Sequence, residues 1–346
     1  MGPAELRETY VLLQVLLERL RGEVETCERD GVPAAAQRGP MFGLLHCIAR
    51  VLQRDNRMLE AGGSWAALAG ELVDTSIRAT AGVAHVVTHA APEGHLPTAG
   101  QHAVDATGIT LEDGSQVTSQ MVLVCAWRTV KEAAAVLGAA GGGHLAGRGG
   151  GHLAGRGGGH LAGLLRRLTH RGAADTAAAG LALVAARCWG SEDRAGLARE
   201  WVQEVMQDVT TGAPSVTRRG AGLTAALQAL LATEVQVTGR GECFHRCMAT
   251  LLRLATNPAD LSSEDPCDTS DPGDPCAPSN PCDPSDPCDP SNPCAPSDPC
   301  DPSDPCDPAD PSVRGPGQLA AAERRALAAN ILRALFRHSA LEAAAR

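Results

Sequence analysis

Apolar residues recur along most of this chain at intervals of three and four, the spacing of an amphipathic α-helix. Over 4–24, Leu6, Leu13, Leu17, Leu20 and Val24 share one stripe, and over 41–60 Leu44, Ile48, Val51 and Leu52 do the same. Ser64 stands where it can cap a third helix from Trp65 to Val87, with Glu71 and Asp74 at polar positions. Thr118 or Ser119 opens a fourth that reaches Leu137, with Val122, Cys125, Ala126, Thr129, Ala133, Val136 and Leu137 on one face. Further helices are predicted over 164–168, 174–189, 191–209, 216–233, 243–255 and 318–341. Between 88 and 116 the pattern lapses, and Pro92, Gly94, Pro97, Gly100, Gly108 and Gly114 mark a loop whose centre, 104–111, has the composition of a short strand. Consecutive helices with short joints predict an all-α fold of stacked helical hairpins, an armadillo/HEAT-like helical-repeat solenoid.

Two low-complexity insertions interrupt that pattern. Residues 141–163 read Gly-Gly-Gly-His-Leu-Ala-Gly-Arg twice and then most of a third time. Gly141-x-Gly143-x-x-Ala146 loosely matches a dinucleotide fingerprint, but that fingerprint needs a strand before it, and here a helix precedes. His144, His152 and His160 offer metal-binding imidazoles only in the way any such tract does, so the segment reads as a flexible insertion. In the second block, Glu264–Pro311, a proline falls at every third position from Pro272 and a cysteine at every sixth from Cys276 to Cys306. A polyproline II rise puts successive cysteines about 19 Å apart, too far to share a zinc ion, so an extended, disordered linker is expected. The predicted organisation is helical repeats over 1–140, 164–256 and 318–346, separated by insertions at 141–163 and 257–317.

Charge changes the picture only once it is localised. The 346 residues carry a formal −10, but the proline-cysteine block holds 13 acids and no base, so the remainder is +3. Lys131 is the single lysine and only eight residues are aromatic. These counts exclude chemistry that needs two lysines and disfavour aromatic base-stacking sheets. No Gly-x-Ser-x-Gly elbow, His-Glu-x-x-His pair or Gly-Lys-Ser/Thr phosphate loop occurs, so no catalytic residue, metal or cofactor is expected. Cys243 and Cys247 lie one helical turn apart and read as small buried residues. The longest apolar run, Met121–Trp127, cannot span a bilayer, and residues 1–12 do not resemble a signal peptide. A cytosolic chain with reduced thiols and no membrane contact is the expectation.

Two cationic segments are candidates for binding. In Trp127–Glu132, Arg128 is placed to pair with Glu132 four residues on, and Trp127 to cover Lys131 as a cation–π partner. A solvated helix face would show the same pattern. In Ser215–Gly222, Arg218 and Arg219 stand at a helix start, where cations oppose the macrodipole, while Gly220 and Gly222 leave room for close approach. Guanidinium forks beside free amides make an anion site, with ordinary surface arginines as the alternative. No acid lies within four residues of Arg218 or Arg219, so they are expected to outweigh Arg128.

Several segments in order carry a resemblance. They are Pro92-Glu-Gly-His-Leu-Pro97, Ser119–Glu132, His170-Arg-Gly-Ala173, Thr217-Arg-Arg-Gly-Ala-Gly222, Gln228-Ala-Leu-Leu-Ala232 and Asn330-Ile-Leu-Arg-Ala-Leu-Phe-Arg337. Together they resemble the central DUF2428 domain of the thyroid adenoma-associated protein (THADA) family, whose members are several times longer. The resemblance implies a cytosolic helical-repeat scaffold without its own active site. It further implies a regulatory subunit that partners an S-adenosylmethionine-dependent methyltransferase and tRNA, in 2′-O-methylation of nucleotide 32 of the anticodon loop. The family's Arg-Arg-Ser-Ala-Gly-Ile/Leu-Pro motif maps onto Arg218 to Thr224, with Gly220 in place of the serine and Thr224 in place of the proline. The alternative is a helical-repeat protein–protein scaffold without RNA contact.

Overall fold

The computed structural model describes residues 3–38, 41–54, 63–88, 96, 116–141, 148–211, 221–256 and 321–341. Among them are eleven helices: α1 Pro3–Asp30, α2 Val32–Arg38, α3 Met41–Arg54, α4 Ser64–Val87, α5 Ser119–Gly141, α6 Arg148–Leu165, α7 Arg171–Trp189, α8 Glu192–Thr211, α9 Ala221–Thr238, α10 Glu242–Thr256 and α11 Ala321–Phe336. No strand occurs among the described residues, which are nearly all helical. All eleven helices belong to one compact unit, Met1–Ala259 with Gly317–Arg346; the second unit, Asp260–Pro316, lies outside the described residues, as does the strand-like centre 104–111. No helix among the described residues is long and apolar enough to cross a membrane.

The core is a row of helices in chain order: α4 packs on α5, α5 on α7, and α7 on α9. At one end α1 and α3 close over α4 and α5, and at the other α10 packs on α11. Leu13, Leu17 and Leu20 from α1, Leu45, Ile48 and Leu52 from α3, and Val130, Val136 and Leu137 from α5 are all buried, as the periodicity required. Glu71 and Asp74, expected on the polar face of α4, tie it to its neighbours through Arg21 (2.7 Å) and Arg156.

Local signals set some boundaries. Gly31, at φ +87°, stops α1 in a conformation that disfavours a side chain, and the seven-residue α2 beyond it is too short to show a period. The Thr118 hydroxyl accepts from the Met121 amide at 3.3 Å and opens α5. His170 caps α7, its Nδ1 accepting from the Ala173 amide at 3.3 Å, so that helix starts three residues before the apolar pattern does. Ser64 is not a cap; Gly63 precedes the helix and no side chain bonds its first turn.

The expected flexible insertion at 141–163 is corrected by α6. Helical glycine costs about 1 kcal/mol relative to alanine, which is why the repeat reads as a loop. Here burial of Leu153, Ala154, Leu161, Ala162, Leu164 and Leu165 offsets that cost. The missing side chains also admit neighbours: a Cβ on Gly158 would stand 2.2 Å from Cη2 of the Trp201 indole. Eight residues advance a helix by two turns and about 80°, so successive copies of the repeat face different ways. His152 is therefore exposed, whereas His160 is largely buried with its Nε2 2.6 Å from the Thr80 hydroxyl.

Glu234, only 3% exposed, makes a cap that no local motif announces. From α9 its carboxylate accepts the amides of Cys243 (2.7 Å) and Phe244 (2.9 Å), satisfying two orphan donors at the start of α10. Glu234→Ala is expected to destabilise the fold by about 2–3 kcal/mol, the scale of charge-assisted bonds lost from buried donors. A denaturant-unfolding midpoint equal to that of the parent would show that water replaces the carboxylate.

Candidate functional site

The site grows from the contact between α3 and α5. Phe42 and His46 stand one turn apart on α3, as Arg128 and Glu132 do on α5. The Arg128 guanidinium lies over the Phe42 ring, 4.8 Å from its centroid, and 5.9 Å from that of Trp127. One turn further, His46 Nδ1 is 3.0 Å from Glu132, whose other oxygen is 3.8 Å from the Lys131 ammonium. Trp127 in turn stacks on His170 across α7, with centroids 5.1 Å apart and planes 9° from parallel.

This geometry revises two expectations. Glu132 was expected to neutralise Arg128, but its carboxylate is held by His46 and Lys131. Trp127 was expected to cover Lys131, but it lies beside Arg128 and His170. Arg128 is left with ring faces rather than a carboxylate, so its charge is uncompensated among the described residues. A guanidinium packed against aromatic rings is restrained while its N–H donors stay available to an oxyanion. Sequence reasoning missed Phe42, His46 and His170 because their partners lie 86, 86 and 43 residues away in the chain.

The second cationic segment is only partly in view. Arg218, Arg219 and Gly220 lie outside the described residues, and α9 begins at Ala221. Gly222 is buried, and a Cβ there would be 2.1 Å from the Leu165 carbonyl oxygen and 3.2 Å from that of Leu168. Its glycine is required for the seating of α9 on the end of α6, which makes it a packing residue. The same turn carries Thr169, whose amide and hydroxyl both donate to the Val87 carbonyl, at 3.2 and 2.8 Å. The end of α4, the end of α6 and the starts of α7 and α9 thus meet at one end of the unit. There Arg166 is neutralised by Glu204 at 2.8 Å and Asp208 at 2.9 Å on α8.

Among the described residues no group of cysteines, histidines and acids is placed to hold a metal ion. Cys243 and Cys247 are buried on α10, and burial pushes the Cys247 thiol up to about 12 and raises Cys243 as well. Cys27, Cys125 and Cys188 are each pushed up to about 11, chiefly by burial. Thiols held protonated at neutral pH are poor nucleophiles and poor ligands.

Comparison with known proteins adds a second line of observation. The family described as THADA/TRM732, DUF2428 matches residues 67–346. A Drosophila melanogaster protein named tRNA (32-2'-O)-methyltransferase regulator THADA is 31% identical over 283 residues, covering 71% of this chain and 16% of the relative. The proteins of the same name from mouse and human are each 27% identical, over 323 and 327 residues, covering 75% of this chain and 16% of their own length. The chain therefore spans about a sixth of the length of these relatives. No solved structure matches it.

Proposed function

Since the chain belongs to the THADA/TRM732, DUF2428 family, we propose that it is a non-catalytic regulatory segment that presents tRNA to a separate, S-adenosylmethionine-dependent 2′-O-methyltransferase acting on nucleotide 32. The observation that carries this reading is that the matching relatives are named regulators of that methylation. The all-helical architecture, taken as an armadillo/HEAT-like solenoid over 1–256, with α6 as part of it, and 318–346, supplies a long surface rather than a pocket. Residues 257–317 interrupt it as a linker. Arg128 and Lys131 on α5, with Arg218 and Arg219 before α9, contribute phosphate contacts that position RNA and perform no chemistry. The setting is the cytosol, where tRNA and reduced cysteines coexist.

The test is a chimera in which this chain replaces the matching segment of the Drosophila relative in cells lacking the native gene. Ribose methylation at nucleotide 32 is expected to return. Arg218→Glu with Arg219→Glu is expected to reduce it at least tenfold, with circular dichroism as the check that the fold is kept. An unmethylated nucleotide 32 with the unaltered chimera would refute the regulatory role. A second reading, a protein–protein scaffold without RNA contact, draws support from the outer face of α1, where Val11, Leu12 and Val15 are 51%, 47% and 62% exposed. The two separate on salt: phosphate contacts release counterions and give a steep salt dependence of tRNA affinity, and apolar contacts do not.

A further inference from the structure

We infer that the outer row of α3, together with Arg128 and Lys131 of α5, forms a track for a single strand of RNA, distinct from the Arg218–Arg219 segment. The inference rests on the tRNA-presenting role above and assigns that role a second contact surface. Phe42, His46, Arg50 and Arg54 follow one another at intervals of four, so they form one row that turns about 40° around α3 at each step and rises about 6 Å along the axis. That step is close to the separation of successive phosphates along an extended strand. His46, Arg50 and Arg54 are exposed, and α3 contains no aspartate or glutamate. The contacts Phe42–Arg128 and His46–Glu132 advance together along both helices, so α3 and α5 run side by side in the same direction and present one continuous surface.

Charge separates this face from its surroundings. Around it on α1, α4 and α6, the exposed Arg19, Arg29, Arg78 and Arg156 pair with Glu23, Asp30, Glu28 and Asp74, and the half-buried Arg21 pairs with Glu71, while Arg7 near the start of α1 holds no carboxylate among the described residues. Among the described residues Arg50, Arg54 and Arg128 hold none, and the one carboxylate of the α5 face, Glu132, is taken by His46 and Lys131. Four cations against one committed carboxylate make a surface that gains by releasing a polyanion's counterions. The Phe42 and Trp127 rings stand beside the Arg128 guanidinium, at 4.8 and 5.9 Å. Stacking on rings and guanidinium planes is how loops, rather than duplexes, are gripped. An acidic protein surface could also meet the cations, but it would leave the aromatic seating of Arg128 without a role.

The experiment uses the whole 346-residue chain and two labelled probes, an anticodon stem-loop RNA and the same stem closed into a loop-free duplex. The unaltered chain is expected to bind the stem-loop about tenfold or more tightly than the duplex. Arg50→Glu with Arg54→Glu should weaken stem-loop binding at least tenfold and lower the slope of log affinity against log salt by about 1.5, since each single-strand phosphate contact contributes about 0.7. The milder Arg50→Gln with Arg54→Gln pair should act in the same direction, with circular dichroism of both variants unchanged. Phe42→Ala should weaken binding and Phe42→Trp restore it, a pattern expected only if the ring seats Arg128. Unchanged affinity and salt slope in both arginine pairs would overturn the track while leaving the regulatory role intact. Retained RNA affinity with loss of the methyltransferase in pull-down would reassign the face to a protein. Failure of the unaltered chain to bind either RNA would also overturn the track, and the chimera would then decide the regulatory role separately.

Discussion

Gly180→Val is expected to abolish cooperative unfolding or to cost at least about 4 kcal/mol, a large part of the ~5–15 kcal/mol that holds a typical domain together. The α5–α7 contact is at the centre of the helical row, and at Gly180 it is made by backbone. A Cβ there would stand 2.5 Å from the Ala134 carbonyl oxygen and 3.3 Å from its carbon. Across the contact, a Cβ on Gly138 would be 2.7 Å from the Gly180 Cα. No rotamer change relieves such a clash, because the obstructing atoms belong to a helix. The helices must separate, opening voids around Val130, Ala134, Leu137 and Leu181, all buried. Gly196→Ala is the matched control, since nothing lies within 4 Å of a Cβ on that α8 residue. It should raise stability by about 0.5–1 kcal/mol through helix propensity and a less flexible unfolded chain. Thermal melts followed at the helical ellipticity separate the two. A Gly180→Val midpoint within a few degrees of the parent would show that α5 and α7 do not pack backbone to backbone.

Acidification from pH 7 to pH 4 is expected to remove up to about 3 kcal/mol of stability through His160 alone. Burial, reinforced by the nearby Arg167 charge, lowers this imidazole from its usual value near 6.5 to about 4. The Thr80 hydroxyl donates its one proton to the Ile77 carbonyl at 2.8 Å, so its oxygen accepts from His160 Nε2–H. Between pH 6.5 and 4 the unfolded chain binds a proton that the native fold refuses, and stability therefore falls as pH falls through that window. Above it the contribution is complete; below it the loss is complete. His160→Gln can still donate to Thr80 but does not titrate. The measurement is the difference in unfolding free energy between pH 7.5 and 4.5 for the parent and for His160→Gln, which cancels the carboxylates common to both. Equal differences would place His160 in solvent and detach α6 from α4.

Eight of the eleven helices, α1, α3, α4, α5, α7, α8, α10 and α11, lie where apolar spacing predicts them, because amphipathic period is a property of neighbours in the chain. Family membership is readable in the same way, from ordered motifs. α9 is also anticipated: Ala221–Thr238 overlaps the predicted 216–233, and 216–220 lie outside the described residues. α6 could not be read locally, since its glycines oppose helix formation until α5, α7 and α8 supply surfaces to pack on, with Trp201 of α8 lying where only a glycine fits at position 158.

The candidate site divides along the same line. Arg128 and Lys131 stand out as cations on a helix face in the sequence alone. Whether those charges are spent is decided elsewhere, because a carboxylate pairs with whatever cation the fold brings within reach. Glu132 meets His46 from 86 residues away, and Arg128 lies on Phe42 from the same distance. Spacing at four residues offered Glu132 and Arg128 to each other, worth a few tenths of a kcal/mol on an isolated helix. The packing of α3 on α5 presents different partners at closer range. Local pattern thus determines which residues can ionise and which face they occupy. Tertiary contact determines which of them remain uncompensated, because Coulombic and cation–π energies depend on distance in space and not on distance along the chain.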